Sequence, residues 1–592
     1  MVRVGIVPSP KLRCVSIAWL NRIAATIALV AWTVVASINT SLHLDMARDI
    51  FVIQQAQSYD GLPTIGPVFA GYYHLGPVWF WLVMFWYHLT GSLQGLMAGM
   101  MGLVALQFPL AYQAGKAWHS RQAGWLLAAL ISIPSWMTLQ IVLPLHSMFT
   151  AGCLLAALWR FRRFLDTGRI APLCQTALAL SLGSHAHPAI VIVLPILCAG
   201  IPRLWTMGYR GAGAFALALG SYVLLFLPAI FTMNRPLDDL ILSNASTFIQ
   251  GPISRAPSLA LQAIHGGIDY VASLLFAPGS AASHFAKAWA AAASFFIVFG
   301  IFLASRRKLI FLVWLAAAAV LLAVMRPVSP YYMLTPLFVL TVFVAAVGLA
   351  ELSRPLRMIV IVGSVAFGAL FMIQWHRLQA RGDWPLAFQP MFNVTGAADA
   401  PMSFINIRAR DAEAFAKFSC RESPVLHGPA AWVFFATYQV ESRWACGRPA
   451  ACIGVCGDGR AANAWLGASR AVFSRLGVVS AQSFGALQLV PVKRSVLSAE
   501  LPILSAARYP PLDASAITSR CGSFHVSLAA GETLAVSNLS FAFTPDPGAT
   551  LHGERDFPPT TQDFSTSYWR SDKDLHATLS VPCKGLTEAV VF

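Results

Sequence analysis

Charge is what this sequence has least of. Only 11% of its 592 residues are Asp, Glu, Lys or Arg, against 57% hydrophobic, and the mean hydropathy is +0.64. The surface of a soluble chain this long needs about a quarter of its residues charged, so the composition excludes a soluble globular protein and implies a multi-pass α-helical membrane protein. Acid is the scarcer sign: 25 Asp and Glu stand against 41 Lys and Arg, for a net charge of +16. The surplus does not describe a nucleic-acid binder, since Lys and Arg fall in short loops between apolar runs, the pattern of positive-inside topology. Membrane lipids are expected partners and nucleic acid is not. Internal repeats are lacking too, which weighs against a secondary transporter, whose halves commonly mirror one another. Cysteine is sparse in the apolar part (Cys14, Cys153, Cys174, Cys198), where a thiol is a small buried hydrophobe. Six more, Cys420, Cys446, Cys452, Cys456, Cys521 and Cys583, gather in the polar C-terminal part. They imply disulfides and an oxidising compartment, with Cys521 and Cys583 placed to close a β-rich unit. Cys452 and Cys456 have the spacing of half a zinc site, yet no second pair accompanies them.

Apolar runs recur from residue 16 to residue 373 and make about 11 transmembrane helices at the usual requirement of about 20 residues each. The basic N-terminus (Arg3, Lys11, Arg13) precedes the first, 16–38, and is expected in the cytoplasm. The next run, 76–90, is short and aromatic (Trp79, Phe80, Trp81, Phe85, Trp86, Tyr87) and reads as an interfacial helix at the outer face. Further spans are expected over 93–115, 123–143 and 148–159. A short pair, 172–184 and 188–201, meets at His185 and His187, and 211–231, 288–304, 309–325, 331–350 and 358–373 complete the set. An odd number of spans delivers the C-terminal part to the periplasmic side, where the cysteines independently place it. Residues 1–375 then form the membrane domain, with a first outer loop over 39–92, and 376–592 a soluble extracytoplasmic domain. Within the latter, 400–495 reads as an α/β unit with helices over 408–418 and 461–476 and strands over 433–440 and 487–492. A β-rich unit follows over 519–592, with strands over 524–528, 533–536 and 577–581.

The first outer loop carries Asp45, Arg48, Asp49 and His74. Ionisable groups where a chain leaves the membrane are costly and mark function. Asp45 and Asp49 stand one helical turn apart. His146 in the second outer loop, His185 and His187 in GSHAHP, and Arg326, Tyr331 and Tyr332 in RPVSPYY end other spans on the same side. Guanidinium and imidazole groups there suit a phosphate, and an imidazole suits a metal ion. Plainer duties compete: Asp49 capping a helix or pairing with Arg48, Arg326 snorkelling to the interface, and the tyrosines anchoring there.

The order of an acidic motif after helix one (Asp45 to Asp49), GLPTIGP (61–67) and HLGPVWFWL (74–82) resembles the GT-C membrane glycosyltransferases. Within them it looks like the protein-mannosyltransferase and aminoarabinose-transferase group, glycosyltransferase family 39. The resemblance covers residues 16–375. It implies a transferase that takes a sugar, hexose or pentose, from a polyprenyl-phosphate donor at the outer face of a bacterial inner membrane. The acceptor it implies is an envelope glycan, lipid or protein. Asp45 matches the family's acidic position and is the expected general base, with Asp49 as a second carboxylate. Met46 stands where a Glu often follows, which takes away the adjacent acid of many relatives. Donor phosphate is expected at Arg326, His185, His187 and Arg48, and substrate contacts at His74, Tyr331 and Tyr332. His146 is the place for a divalent metal. The alternatives are a transporter or lipid flippase, and a non-catalytic envelope scaffold.

Overall fold

The structure, a computed structural model, describes residues 26–37, 41–42, 49, 53, 62–64, 66–69, 73–133, 146–187, 190, 193–228, 330–381, 407–408, 414–415, 417–418, 422, 425–427, 452–453, 463–467, 482–484, 487–497, 521–537, 542–545, 551–555, 566–581 and 588–592. Helix α1 (Thr26–Ser37) falls within the first expected span. Helix α2 (Val78–Thr90) ends on Gly91 at φ 60, whose N–H bonds Tyr87 O, and the Ser92 hydroxyl caps the next helix by accepting from Gly95 N–H. Helices α3 (Leu93–Ala105) and α4 (Gln107–Trp118) are joined at Leu106. Together they form a 26-residue unit, the one helical unit among the described residues long and apolar enough to cross a membrane. The expected spans 288–304 and 309–325 lie outside the described residues.

Helices α5 (Arg121–Ser132), α6 (Phe149–Thr167), α7 (Ile170–Ala186), α8 (Ile201–Thr206) and α9 (Tyr209–Leu224) follow. Helices α10 (Pro330–Glu351) and α11 (Arg354–Arg381) complete the set, the last running on past residue 375. Helix α6 corrects the expected span 148–159, because it continues unbroken through Arg160, Arg162 and Arg163. The guanidiniums are accommodated rather than expelled. Arg160 lies 3.8 Å from the centre of the Trp159 ring, and Arg162 pairs with Asp166 one turn on.

Neighbouring helices pack as α4 on α5, α6 on α7 and α7 on α9, with α10 laid against α5 and α6. Small residues set the spacing of the α4–α5 pair. A Cβ on Gly124 would stand 2.5 Å from Tyr112 O, and one on Gly115 would stand 2.8 Å from the Gly124 backbone. Such close approach is how helices adhere where lipid removes the hydrophobic drive between them. Val30, Trp125, Phe215, Leu217, Ile359 and Val362 point outward and are exposed, a surface suited to acyl chains.

The helix ends sort by chemistry. Helix α6 starts just after His146 and ends at Thr167; α7 starts at Ile170 and returns to His185. At the same end as Thr167 the α4–α5 turn and the end of α10 come together, His119 Nε2 meeting Glu351 Oε1 at 2.7 Å. Arg162 lies 5.7 Å from the Trp118 ring, and Arg203 lies over Gly168. One end of the bundle is therefore basic, and His146, His185 and His187 occupy the other.

Strand β1 (Ser41–Leu42) pairs with β4 (Ile407–Arg408), tying the start of the first outer loop to the C-terminal part. Strands β2 (Val68–Phe69) and β3 (Tyr73–His74) form a small hairpin inside that loop. A five-stranded mixed sheet joins β5 (Val425–His427), β6 (Cys452–Ile453), β7 (Asn463–Gly467), β8 (Gln482–Phe484) and β9 (Leu487–Pro491) in the order β6-β5-β7-β9-β8. Strand β7 corrects the helix expected over 461–476. The correction extends to residues 463–467, which ladders to β5 on one side and β9 on the other hold extended; the rest of 461–476 lies outside the described residues. The expected strand 433–440 lies outside the described residues.

A β-sandwich closes the chain. Its larger sheet runs β10 (Arg494–Leu497), β17 (Glu588–Val591), β12 (Thr533–Ser537), β15 (Thr566–Ser571), β14 (Leu551–Arg555); the smaller runs β11 (Gly522–Leu528), β16 (Leu575–Val581), β13 (Ala542–Pro545). Because β10 belongs to it, the unit begins at 494 rather than 519. Leu575, Ala577, Leu579 and Val581 face inward and His576 faces out, the period of two that places Val526, Leu534, Val536 and Val591 in one core. Gly522 pairs with Val581, so Cys521 stands at the ladder end that leads toward Cys583, itself outside the described residues.

Candidate active site

The site starts from Asp49, fully buried at 0% exposure, whose Oδ2 accepts a hydrogen bond from the Trp79 indole N–H at 2.7 Å. A buried carboxylate is costly unless hydrogen-bonded, and a donor to a charged acceptor makes one of the stronger bonds available. Trp79 thus ties the first outer loop to α2, and it is not the interfacial anchor the sequence suggests. Phe80, Val83, Met84 and Tyr87 are buried with it. The aromatic helix turns one face into the protein because its indole has a polar partner there.

The Trp79 ring stands edge-on to His146 at 6.2 Å and to Phe149 at 6.0 Å. The His146 ring in turn stacks with His187, centres 6.3 Å apart and planes 21° from parallel. Both imidazoles are buried. Segments separated by almost the whole span from Asp49 to His187 therefore meet around one indole.

His185 forms the adjoining corner. Its Nδ1 lies 3.4 Å from the Val78 N–H, and its Nε2 is buried with no hydrogen-bond partner among the described residues. Phe226 lies 4.0 Å from the same ring. Gly76 is laid against the imidazole so closely that a Cβ there would overlap it, and a Cβ on Gly66 would overlap the Gly76 carbonyl. Gly66 N–H bonds Leu75 O at 2.6 Å and Leu75 N–H bonds Pro67 O at 2.9 Å. These contacts explain why GLPTIGP and HLGP carry glycine where they do: two backbone layers and a ring are stacked with no room for a side chain. The end of α7 is pinned to α9 by Tyr222 OH donating to Ser184 Oγ at 2.8 Å and by Ser181 Oγ donating to Tyr222 O at 2.6 Å.

Of the residues singled out in the sequence, Asp49, His146, His185 and His187 are thus brought to one end of the bundle. Asp45, Arg48 and Arg326 lie outside the described residues. For His74, in β3, and for Tyr331 and Tyr332, in the first turn of α10, the backbone alone is described. Trp79, Gly76 and Tyr222 are site residues that sequence reasoning misses. A signal for Trp79 does exist, as a polar-tipped ring in a stretch otherwise unable to satisfy a buried acid. No group of three His, Cys, Asp or Glu side chains placed to hold a metal ion occurs among the described residues.

No protein-family model and no curated protein matches the chain. Among solved structures it is similar to ArnT from Cupriavidus metallidurans bound to undecaprenyl phosphate, at 14% identity and a TM-score of 0.48, over 80% of this chain and 98% of that one. It is also similar to the Archaeoglobus fulgidus oligosaccharyltransferase in complex with Zn and sulfate, at 14% identity and a TM-score of 0.38, over 67% of this chain and 55% of that one. A third is the arabinosyltransferase EmbB from Mycobacterium smegmatis, at 11% identity and a TM-score of 0.31, over 100% of this chain and 65% of that one. Each of these overlaps has a TM-score below 0.5, so the chemistry of the chain rests on the residues of its own site.

Proposed function

We propose that the chain is an inner-membrane glycosyltransferase of the GT-C kind. It moves a sugar from a polyprenyl-phosphate donor to an envelope glycan, lipid or protein acceptor at the outer face, and its N-terminus is cytoplasmic. The observation that carries this reading is the convergence of the first outer loop, through Asp49 and Gly76, with His146, His185 and His187 at one end of an otherwise apolar bundle. A base and phosphate donors must share one substrate, and positioning them together is worth several powers of ten in rate.

In the reaction, the acceptor oxygen attacks the anomeric carbon as Asp45 takes its proton, and the bond from that carbon to the phosphate oxygen breaks with its electron pair staying on phosphate. Asp49, held by Trp79, fixes the loop on which Asp45 stands. The growing charge on phosphate is met by Arg326 and Arg48 and by the imidazole of His185, whose buried Nε2 has no other hydrogen-bond partner among the described residues. His187 stacks on His146 beside it, and His74, Tyr331 and Tyr332 border the substrate. No step is routed through a metal ion.

The test compares envelope lipids and glycans by mass spectrometry in a deletion strain complemented with the wild-type chain or with Asp45→Asn. The wild type is expected to restore one sugar mass that the variant restores at less than about one hundredth of the rate. Full restoration by Asp45→Asn at equal expression refutes the reading and favours a scaffold. A substrate gradient across vesicles, with no new glycoconjugate, identifies a transporter.

A further inference from the structure

The basic end of the bundle holds a corner that the proposed reaction does not use. Helix α6 closes at Gly168, which has φ +64 and bonds Phe164 O at 2.8 Å. Arg203 of α8 lies over this turn, a terminal nitrogen standing 2.7 Å from where a Cβ of residue 168 would be. A side chain at 168 would push the guanidinium away, so glycine here both permits the left-handed turn and seats the arginine. Arg169 comes next in the chain, and Arg210, on the following helix, lies 5.9 Å from the Tyr209 ring. All three arginines are exposed.

No acid answers them among the described residues of this end. Asp166 is engaged by Arg162 and Glu351 by His119. Between the arginines stand Trp205, 85% exposed, and Tyr209, 82% exposed. An indole and a phenol thrust outward beside guanidiniums match the boundary between acyl chains and headgroups, where such rings rest. Guanidinium in turn matches the forked oxygens of a phosphodiester. We propose that the corner formed by the Gly168 turn and helix α8 is a binding site for an anionic phospholipid of the leaflet at the basic end. Arg203 and Arg210 grip the headgroup phosphate, and Trp205 lies along the glycerol and upper chains.

Native mass spectrometry of the full chain, released from micelles doped with either phosphatidylglycerol or phosphatidylcholine, tests it. The wild type is expected to retain phosphatidylglycerol preferentially, and Arg203→Gln/Arg210→Gln to bind it about 25-fold more weakly, in line with about fivefold for each basic residue near a charged leaflet. Gly168→Ala keeps every charge but displaces Arg203, and is expected to weaken binding severalfold; it stands in should the double variant not purify. Arg121→Gln/Arg354→Gln, at the same end but away from the corner, is expected to change nothing. Equal retention of both lipids overturns the proposal, as does an equal loss in the Arg121/Arg354 variant, which means diffuse surface charge. Displacement of the lipid by millimolar inorganic phosphate also overturns it, since that identifies a site for free anions.

Discussion

The two ends of helices α6 and α7 (Phe149–Thr167 and Ile170–Ala186) solve the problem of polar groups in an apolar protein in opposite ways. At the basic end, Arg163, Arg169 and Arg203 are exposed, and their charges lean on solvent, headgroups or a neighbouring ring. At the other end Asp49, His146, His185 and His187 are taken inside and supplied with fixed partners. An exposed charge adapts to whatever surrounds it and adds little to stability. A buried one must be built for, and the construction leaves its donors and acceptors aimed before any substrate arrives. The difference is why the proposed chemistry is placed at the histidine end although the arginines are more numerous.

The largest way to break the contrast is Gly76→Ala. Its methyl group has no room beside the His185 ring, so the loop or the imidazole must move. A destabilisation of about 3 kcal/mol, the top of the usual range for overpacking, is expected, with sugar transfer falling at least about tenfold. Thermal unfolding in detergent and the envelope assay read the two effects. An unchanged melting temperature shows that the stacked backbone and ring are not part of the folded site.

A smaller effect sharpens the contrast at the carboxylate. Trp79→Phe keeps the ring and removes the donor, leaving Asp49 buried with one hydrogen bond fewer, for an expected loss of about 1–2 kcal/mol. Adding Asp49→Asn should then cost less than it does in the wild type, and the shortfall of the double variant from additivity measures the bond. Strict additivity means that the indole and the carboxylate do not act as a pair.

The smallest effect lies outside the membrane, in the β-sandwich, where Glu532 is intermediate between the two ends. Burial alone would raise its carboxyl pKa, but the Ala529 N–H and the neighbouring Lys493 and Arg494 outweigh burial and hold it below the usual range. The contacts are 3.0 Å to Ala529 N, 3.4 Å to Lys493 Nζ and 3.3 Å to Arg494. Since the folded carboxyl gives up its proton more readily than the unfolded one, its contribution is complete above the ordinary carboxylate range and is lost as the pH falls through the lowered folded value. Glu532→Gln should therefore destabilise the sandwich by about 0.5 kcal/mol at neutral pH and by almost nothing in strong acid. Hydrogen exchange across strands β10 to β17, followed from pH 7 to pH 3, checks both halves of the expectation.

Much of this is legible in the sequence, and the failures have physical causes. Period-two alternation over 524–528 and 577–581 locates sandwich strands because one face of each is buried and the other is more open, whereas 533–536, central in its sheet, is buried throughout. Along the membrane helices the lipid is as apolar as the core, so no comparable stripe tells inside from outside. Trp79 accordingly reads as interfacial, although its indole points at Asp49. Residues 463–467 mislead for a different reason: they lie in a stretch read as helix, and the neighbouring strands of the sheet hold them extended. The histidines are recognisable by type and side, yet their grouping around one indole comes from the path of α6 and α7, which no local pattern encodes.

The short ladder between Ser41–Leu42 and Ile407–Arg408 makes the extracytoplasmic part more than an appendage. A chain trimmed just beyond Arg381 would keep every described helix of the bundle but leave Ser41–Leu42 without its partner strand, so the two parts of the chain would lose this backbone seam.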